Sequence, residues 1–194
     1  ADIVVADDLN LSSISQVYKS GKLVCENGKA LFECETVDNS KVTNTVHLPK
    51  ISADFFKTDV KDKFDAIELI PESIITKKVT VSYSDSLSKV CVIERHHNLG
   101  TKGIGFVTNY EITNGAIATS IGHDSHNVIV IGDNDSDMAL AVNTLGTSGG
   151  IAVCSEGKVI ASMTLDIAGL MSVKSADEVT REHDNLYSAA KVLN

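Results

Sequence analysis

Tryptophan is absent from the 194 residues and proline occurs twice, as Pro49 and Pro71. No low-complexity tract appears either, so nothing marks a long disordered linker and a compact chain is expected. Basic residues are in deficit. Seventeen Lys and Arg stand against 26 Asp and Glu, a net charge of −9, and the cations are scattered rather than gathered into a stripe. Binding to a phosphate backbone needs such a stripe, so nucleic acid is not expected as a partner. Long hydrophobic runs are missing as well: the longest falls far short of the ~20 residues that cross a bilayer. Residues 1–25 lack the basic-then-apolar order of a signal peptide. The expectation is a cytoplasmic protein with no membrane partner.

The four cysteines, Cys25, Cys34, Cys91 and Cys154, show no C-x-x-C spacing, and each lies in or beside an apolar stretch. Reduced, buried thiols serving as small hydrophobes are expected, and a structural zinc site is not. The familiar catalytic signatures are missing too. There is no H-E-x-x-H, no H-x-H and no Walker sequence, and the glycines of "LGTKGIG" do not make G-x-G-x-x-G. These residues do not assemble a complete metal site, and no metal ligand is assigned.

What is present reads as a strand-rich α+β chain with a few short helices. With 43% hydrophobic and 22% charged residues, its length suits one domain, or one plus a fragment, burying roughly 70% of the unfolded surface. Residues 1–35 offer short apolar runs, Ile3 to Val5, Val17-Tyr18 and Leu23 to Cys25, broken by Ser20-Gly21 and Asn27-Gly28, which suit hairpin turns. Such strands with no packing layer look like the tail of a sheet whose remainder lies elsewhere. The more polar stretch 33–48 reads as a boundary. From residue 49 the runs "FDAIELI", "KKVTVSYS", "KVCVIERHH" and "GIGFVTNYEI" predict further strands.

Two helices are predicted in the second half. Asn134 and Asp137 form a capping-box-like start, with Met138, Val142 and Leu145 at helical spacing and Gly146 as the stop. Ser175 and Glu178 open a second helix, with Val179, Leu186, Ala190 and Leu193 on one face. Between them "GGIAVCSEGKVIASMTL" reads as a hairpin about Ser155 to Lys158. Asp133, Asp135 and Asp137 alternate as in a calcium loop but lack its glycine and distal glutamate, so acids at a helix start are the better reading.

The chemistry concentrates at two places. His123-Asp124-Ser125-His126-Asn127 stands between two apolar runs that should be interior strands, so its polar groups are expected at a tight corner against apolar walls. Each group then needs a partner, because an unpaired buried polar group costs about 1–3 kcal/mol. One reading is a self-satisfied corner. The other is a pocket lined by His123, Asp124 and His126, where an imidazole held by a carboxylate shuttles a proton near neutral pH. The second place is "VIERHHNLG". Alternation would put Glu94 and His96 on one face and Arg95 and His97 on the other; a salt-bridged sheet edge is the alternative. His47 and His183 are given no role.

Taken in order, "IERHHNLG", "NGAIATSIGHDSHNVIVIGDNDSDMALAVN", "GGIAVCSEGKVIA" and "LDIAGLMS" closely resemble the C-terminal domain of bacterial and archaeal-type adenine deaminases, over about residues 49–194. The opening strands resemble the last strands of the small β-domain flanking the barrel of amidohydrolases. The resemblance implies a hydrolytic enzyme acting on adenine, and a divalent metal (manganese, iron or zinc) held by a (β/α)₈ barrel not found in these residues. It also implies that the chain alone is inactive, as a fragment or the remainder of a truncated gene. The barrel is the implied partner, a homo-oligomer is expected, and His123, Asp124 and His126 are the implied catalytic group. Ser125, Asn127, Glu94, Arg95 and His96 would bind substrate or support the group from behind. Two other readings stand beside this one: a non-catalytic assembly module using "DIAGLMS" and the last helix, and a metal shared by His123 and His126 with a nearby carboxylate.

Overall fold

Two-residue turns shape the first part of the chain. The computed structural model describes residues 2–9, 13–33, 35, 37–60, 62–84 and 87–193, which divide into units Ala1–Asp38 and Asn39–Asn194. In the first unit β1 (Ile3–Ala6), β2 (Ile14–Lys19), β3 (Lys22–Glu26) and β4 (Lys29–Ala30) form an antiparallel meander. Ser20-Gly21 and Asn27-Gly28 have φ of 50° and 77°, and 49° and 76°. Both central residues of each turn are left-handed, as a tight hairpin requires. None of the unit's described residues is fully buried, and Ile3, Val4, Leu9, Phe32 and Val37 are exposed. Among its described residues the unit shows no core of its own.

The second unit is built on an eight-stranded sheet. Its strands are β5 (Lys63–Leu69), β6 (Thr76–Ser82), β7 (Ser88–Ile93), β8 (Lys102–Thr108), β9 (Gly115–Thr119), β10 (Val128–Gly132), β11 (Gly150–Ser155) and β12 (Lys158–Thr164), in the order β12-β11-β9-β10-β7-β8-β5-β6. Neighbours are antiparallel except β5 and β8, which pair in parallel at Ile67↔Val107. The sheet is therefore mixed, and with two helices the fold is α+β.

Strand alternation places one helix on each face. Ala116, Ala118, Val128, Val130, Ala152 and Cys154 meet Met138, Val142 and Leu145 of helix α1 (Asp135–Thr144) and the turn after it. The intervening Ile117, Ile131, Ile151 and Val153 point the other way, toward Leu186 of helix α2 (Ala176–Ala190) and Leu193 just beyond it. Small residues let α1 approach closely: a Cβ at Gly132 would lie 2.9 Å from Met138 Cγ. Both helix starts follow the predicted caps. The Asn134 side chain accepts from Asp137 N, and Ser175 and Glu178 complete a reciprocal capping box. The predicted hairpin turns at Glu156-Gly157, with φ of 50° and 75°.

The three aspartates serve the fold. Asp133 accepts from the amides of Asn114 and Gly115 at 2.6 and 2.9 Å, Asp135 pairs with Lys89, and buried Asp137 accepts from Gly157 N at 2.8 Å. Cys91 and Cys154 are buried free thiols, and burial pushes each up to about 11. Cys25 is half-buried, while Cys34 lies outside the described residues. Among the described residues no helix is long and apolar enough to cross a membrane.

The segment 39–48 is bonded into the second unit. Val46 N donates to Thr147 O at 3.0 Å, His47 N to Arg95 O at 2.7 Å, and Ala168 N to Val42 O at 2.6 Å. Register collects these contacts at one end of the sheet. Val128 pairs with Ile93, Ile129 with Thr119, Ile151 with Thr119 and Gly150 with Thr164. The turns 94–101, 120–127, 145–149 and 165–171 therefore all leave the sheet together.

Candidate functional site

The corner 120–127 closes because Gly122 has no side chain: a Cβ there would stand 2.5 Å from Asn127 O. Across that approach His126 N donates to Gly122 O at 2.6 Å, and Ser125 N to His123 O at 3.0 Å. Asp124 and His126 adopt φ of 66° and 50°. Such values are uncommon for residues with a β-carbon and persist where surrounding contacts over-determine them. The corner is thus a tight one, as its composition predicted.

The side chains of His123 and Asp124 do not face apolar walls. His123 Nδ1 and Asp124 Oδ1 lie 2.8 Å apart with side-chain exposures of 93% and 89%. Between strands as apolar as β9 and β10 the sequence suggested enclosure. The chain leaves the sheet before His123, however, so strand alternation no longer governs where the polar groups point. The 410 Å³ groove lined by Val46, Leu48, Pro49, Lys50, Val142, Asn143, Gly146 and Thr147 contains no corner residue. Deeper in the corner, His126 Nδ1 and Asn127 Oδ1 are buried and have no hydrogen-bond partner among the described residues. Ser125 Oγ accepts from Asn127 N at 3.4 Å.

The turn after β7 supports the corner from behind. The strand ends at Ile93, so the expected alternation of Glu94 with His96 and Arg95 with His97 does not continue. Instead the Glu94 carboxylate accepts from the amides of His96, His97 and Leu99 at 2.5, 2.8 and 3.2 Å, and His97 Nδ1 stands 3.4 Å from it. Partial desolvation raises its pKa, but the three amides outweigh that and hold it below the ordinary glutamate value. His96 Nε2 contacts Ser125 O at 3.0 Å. Arg95 is buried, at 3% exposure. Its Nε donates to His126 O and its Nη2 to Ala168 O at 2.9 Å, while burial lowers its pKa from the usual guanidinium value.

Two contributors were not singled out from sequence. Ser120, fully buried, donates to Gly169 O at 2.5 Å and accepts from Gly150 N at 2.8 Å. Ala168 carries φ of 55° in the same turn. "DIAGLMS" was read as an apolar face, and only its glycine hinted at a turn. Among the described residues no three His, Cys, Asp or Glu side chains gather to hold a metal ion. Among those residues no ligand set is assigned, either for an ion shared by His123 and His126 or for the divalent metal implied by resemblance.

The second unit is thus an α+β domain that presents its polar chemistry on loops at one end of a mixed sheet. Residues 68–194 match the family described as adenine deaminase C-terminal domain. Over 206 residues, all of this chain is 38% identical to adenine deaminase 2 of Carboxydothermus hydrogenoformans, of which it spans 36%. It is 34% identical, again over its full length, to 36% of the adenine deaminase of Lysinibacillus sphaericus. With the adenine deaminase of Clostridium acetobutylicum the identity is 40% over 92% of this chain and 34% of the relative. The chain belongs to the adenine deaminase C-terminal domain family, and it spans about a third of the length of these curated relatives.

Proposed function

We propose that the chain is the C-terminal portion of an adenine deaminase, and that its corner meets the purine bound by another part of the same polypeptide. The reaction is adenine plus water giving hypoxanthine plus ammonia: water supplies the oxygen at the ring carbon that loses its amino group. Family membership supports the activity, and the outward His123–Asp124 pair, 2.8 Å apart on a tight corner, carries the reading of the site. An imidazole whose Nδ1 donates to a carboxylate presents Nε2 as an acceptor. Such a group can orient the attacking water or the departing amine. Buried His126 Nδ1 and Asn127 Oδ1 retain bonding capacity that the corner's own main chain does not use, and Ser125, Glu94 and His96 hold the backbone. The metal and its barrel belong to the polypeptide outside these residues, and the first unit's open meander would complete a small β-domain of amidohydrolase type.

In the full-length polypeptide His123→Ala and His126→Ala should each lower turnover by roughly 100-fold or more, the scale of lost general acid–base assistance, with an unchanged thermal melt. Wild-type turnover in both variants would remove the corner from the reaction. A second reading, an assembly module, is favoured by the exposed, near-adjacent Met171 and Val173 at 59 and 58%. In a homo-oligomer built through that surface, the same histidine variants would leave turnover intact, while a charge at Met171 would change the oligomeric state.

A further inference from the structure

We propose that Arg95 is the positioning residue of this corner: one guanidinium locks the turn 122–127 to the turn 166–171 and so sets the direction of the His123–Asp124 pair. As far as catalysis is concerned this rests on the function proposed above, but the lock itself does not.

The pair cannot orient itself. His123 and Asp124 bond to each other and are otherwise open to solvent, so their direction follows from the backbone that carries them. That backbone is held by Arg95 Nε on His126 O and by His96 Nε2 on Ser125 O. The other arm of the fork, Nη2, lies 2.9 Å from Ala168 O. Both gripped carbonyls belong to residues with positive φ, 50° at His126 and 55° at Ala168. Neither is a glycine, and a β-carbon makes that conformation unfavourable unless outside contacts impose it. The same guanidinium touches both of these carbonyls, while Asp124, with φ of 66° in the same corner, is not gripped by it.

The surroundings are shaped to admit it. A Cβ at Gly169 would stand 2.7 Å from Arg95 Nη1, and Ser120 ties Gly169 O to the start of the corner. No described carboxylate pairs with Arg95, whose bonds run to main-chain oxygens. Burying a cation on these terms is unfavourable, and an apolar side chain would fill the space at lower cost. What an apolar side chain cannot do is bridge two carbonyls on separate turns. Lysine, a point charge on a flexible stem, lacks the planar fork as well.

The test uses the full-length polypeptide with Arg95→Met, Arg95→Lys and Gly169→Ala, reading kcat and KM for adenine together with amide hydrogen exchange. For Arg95→Met, exchange should accelerate in 122–127 and 166–171 together while β9, β10 and β11 stay protected. Turnover should fall by about 100-fold with KM changed by less than about 3-fold, as expected of misplaced rather than missing groups. Arg95→Lys should behave nearly like Arg95→Met, since a point charge cannot bridge the two carbonyls. Should Arg95→Met not fold, Gly169→Ala crowds the same guanidinium from the opposite turn and should loosen 122–127. Unchanged exchange in either turn, or in 122–127 for Gly169→Ala, overturns the lock. Loosening of both turns with wild-type kcat overturns its part in positioning. Coupled loosening alongside wild-type turnover in His123→Ala and His126→Ala would leave the lock standing and remove the catalytic reading instead.

Discussion

Glu94 illustrates how far a residue's type predicts its use. Its carboxylate and the histidines beside it suggested a reactive cluster, yet it caps three amides of its own turn. Because those bonds favour the charged form, its folded pKa lies below the ordinary value of 4.5. The stabilisation is therefore complete above that value and is lost as pH falls through the lower, folded one. The amide resonances of His97 and Leu99 should shift together over that acid window, and in Glu94→Gln they should not; a window above 4.5 would contradict the assignment. The neighbouring Arg95 was legible as a site candidate but not as a buried one. Alternation predicts a side only while the strand lasts, and the strand stops at Ile93. At the corner the polar composition and the tight turn could be read in advance. The outward direction of His123 and Asp124 could not, because it depends on where the chain leaves the sheet.

Helix α1 shows local and non-local signals agreeing. Asn134 supplies the predicted cap and also bonds to the Asp137 carboxylate at 2.9 Å, while Met138 is fully buried against the sheet. Asn134→Ala should cost about 1 kcal/mol, the usual loss of a cap, and Met138→Ala about 2–5 kcal/mol through the cavity it leaves. Denaturant unfolding would rank the two, and equal costs would mean that α1 is not packed as described. Element identities and caps were readable because they depend on residues three or four apart. Sheet order was not readable. The parallel pairing of β5 with β8 and the placement of β9 between β10 and β11 join segments whose runs carry no mark of their neighbours.

At the scale of the whole molecule, apolar burial is unevenly shared. Both hydrophobic clusters lie in Asn39–Asn194, and the described residues of the first unit include no fully buried side chain. A peptide of residues 1–38 should therefore be unfolded by circular dichroism, whereas residues 39–194 should melt cooperatively, since an isolated meander cannot offset its chain entropy. A folded 1–38 peptide would contradict this account of the meander. The polar stretch expected to divide the chain contributes Val46, 1% exposed, to the second unit. It also packs beside the turns that Arg95 joins.

By itself the sequence determined the α+β character, most strands, both helix starts, the hairpin turns and the presence of a histidine-rich corner, all of which follow from short-range periodicity and turn chemistry. Tertiary structure alone decided that His123 and Asp124 open to solvent, that Arg95 is buried beneath them, and that Ser120, Ala168 and Gly169 share the corner's foundation. Those facts arise where residues 73 positions apart, Arg95 and Ala168, come within hydrogen-bond distance. No local pattern encodes a carbonyl turned toward a distant guanidinium.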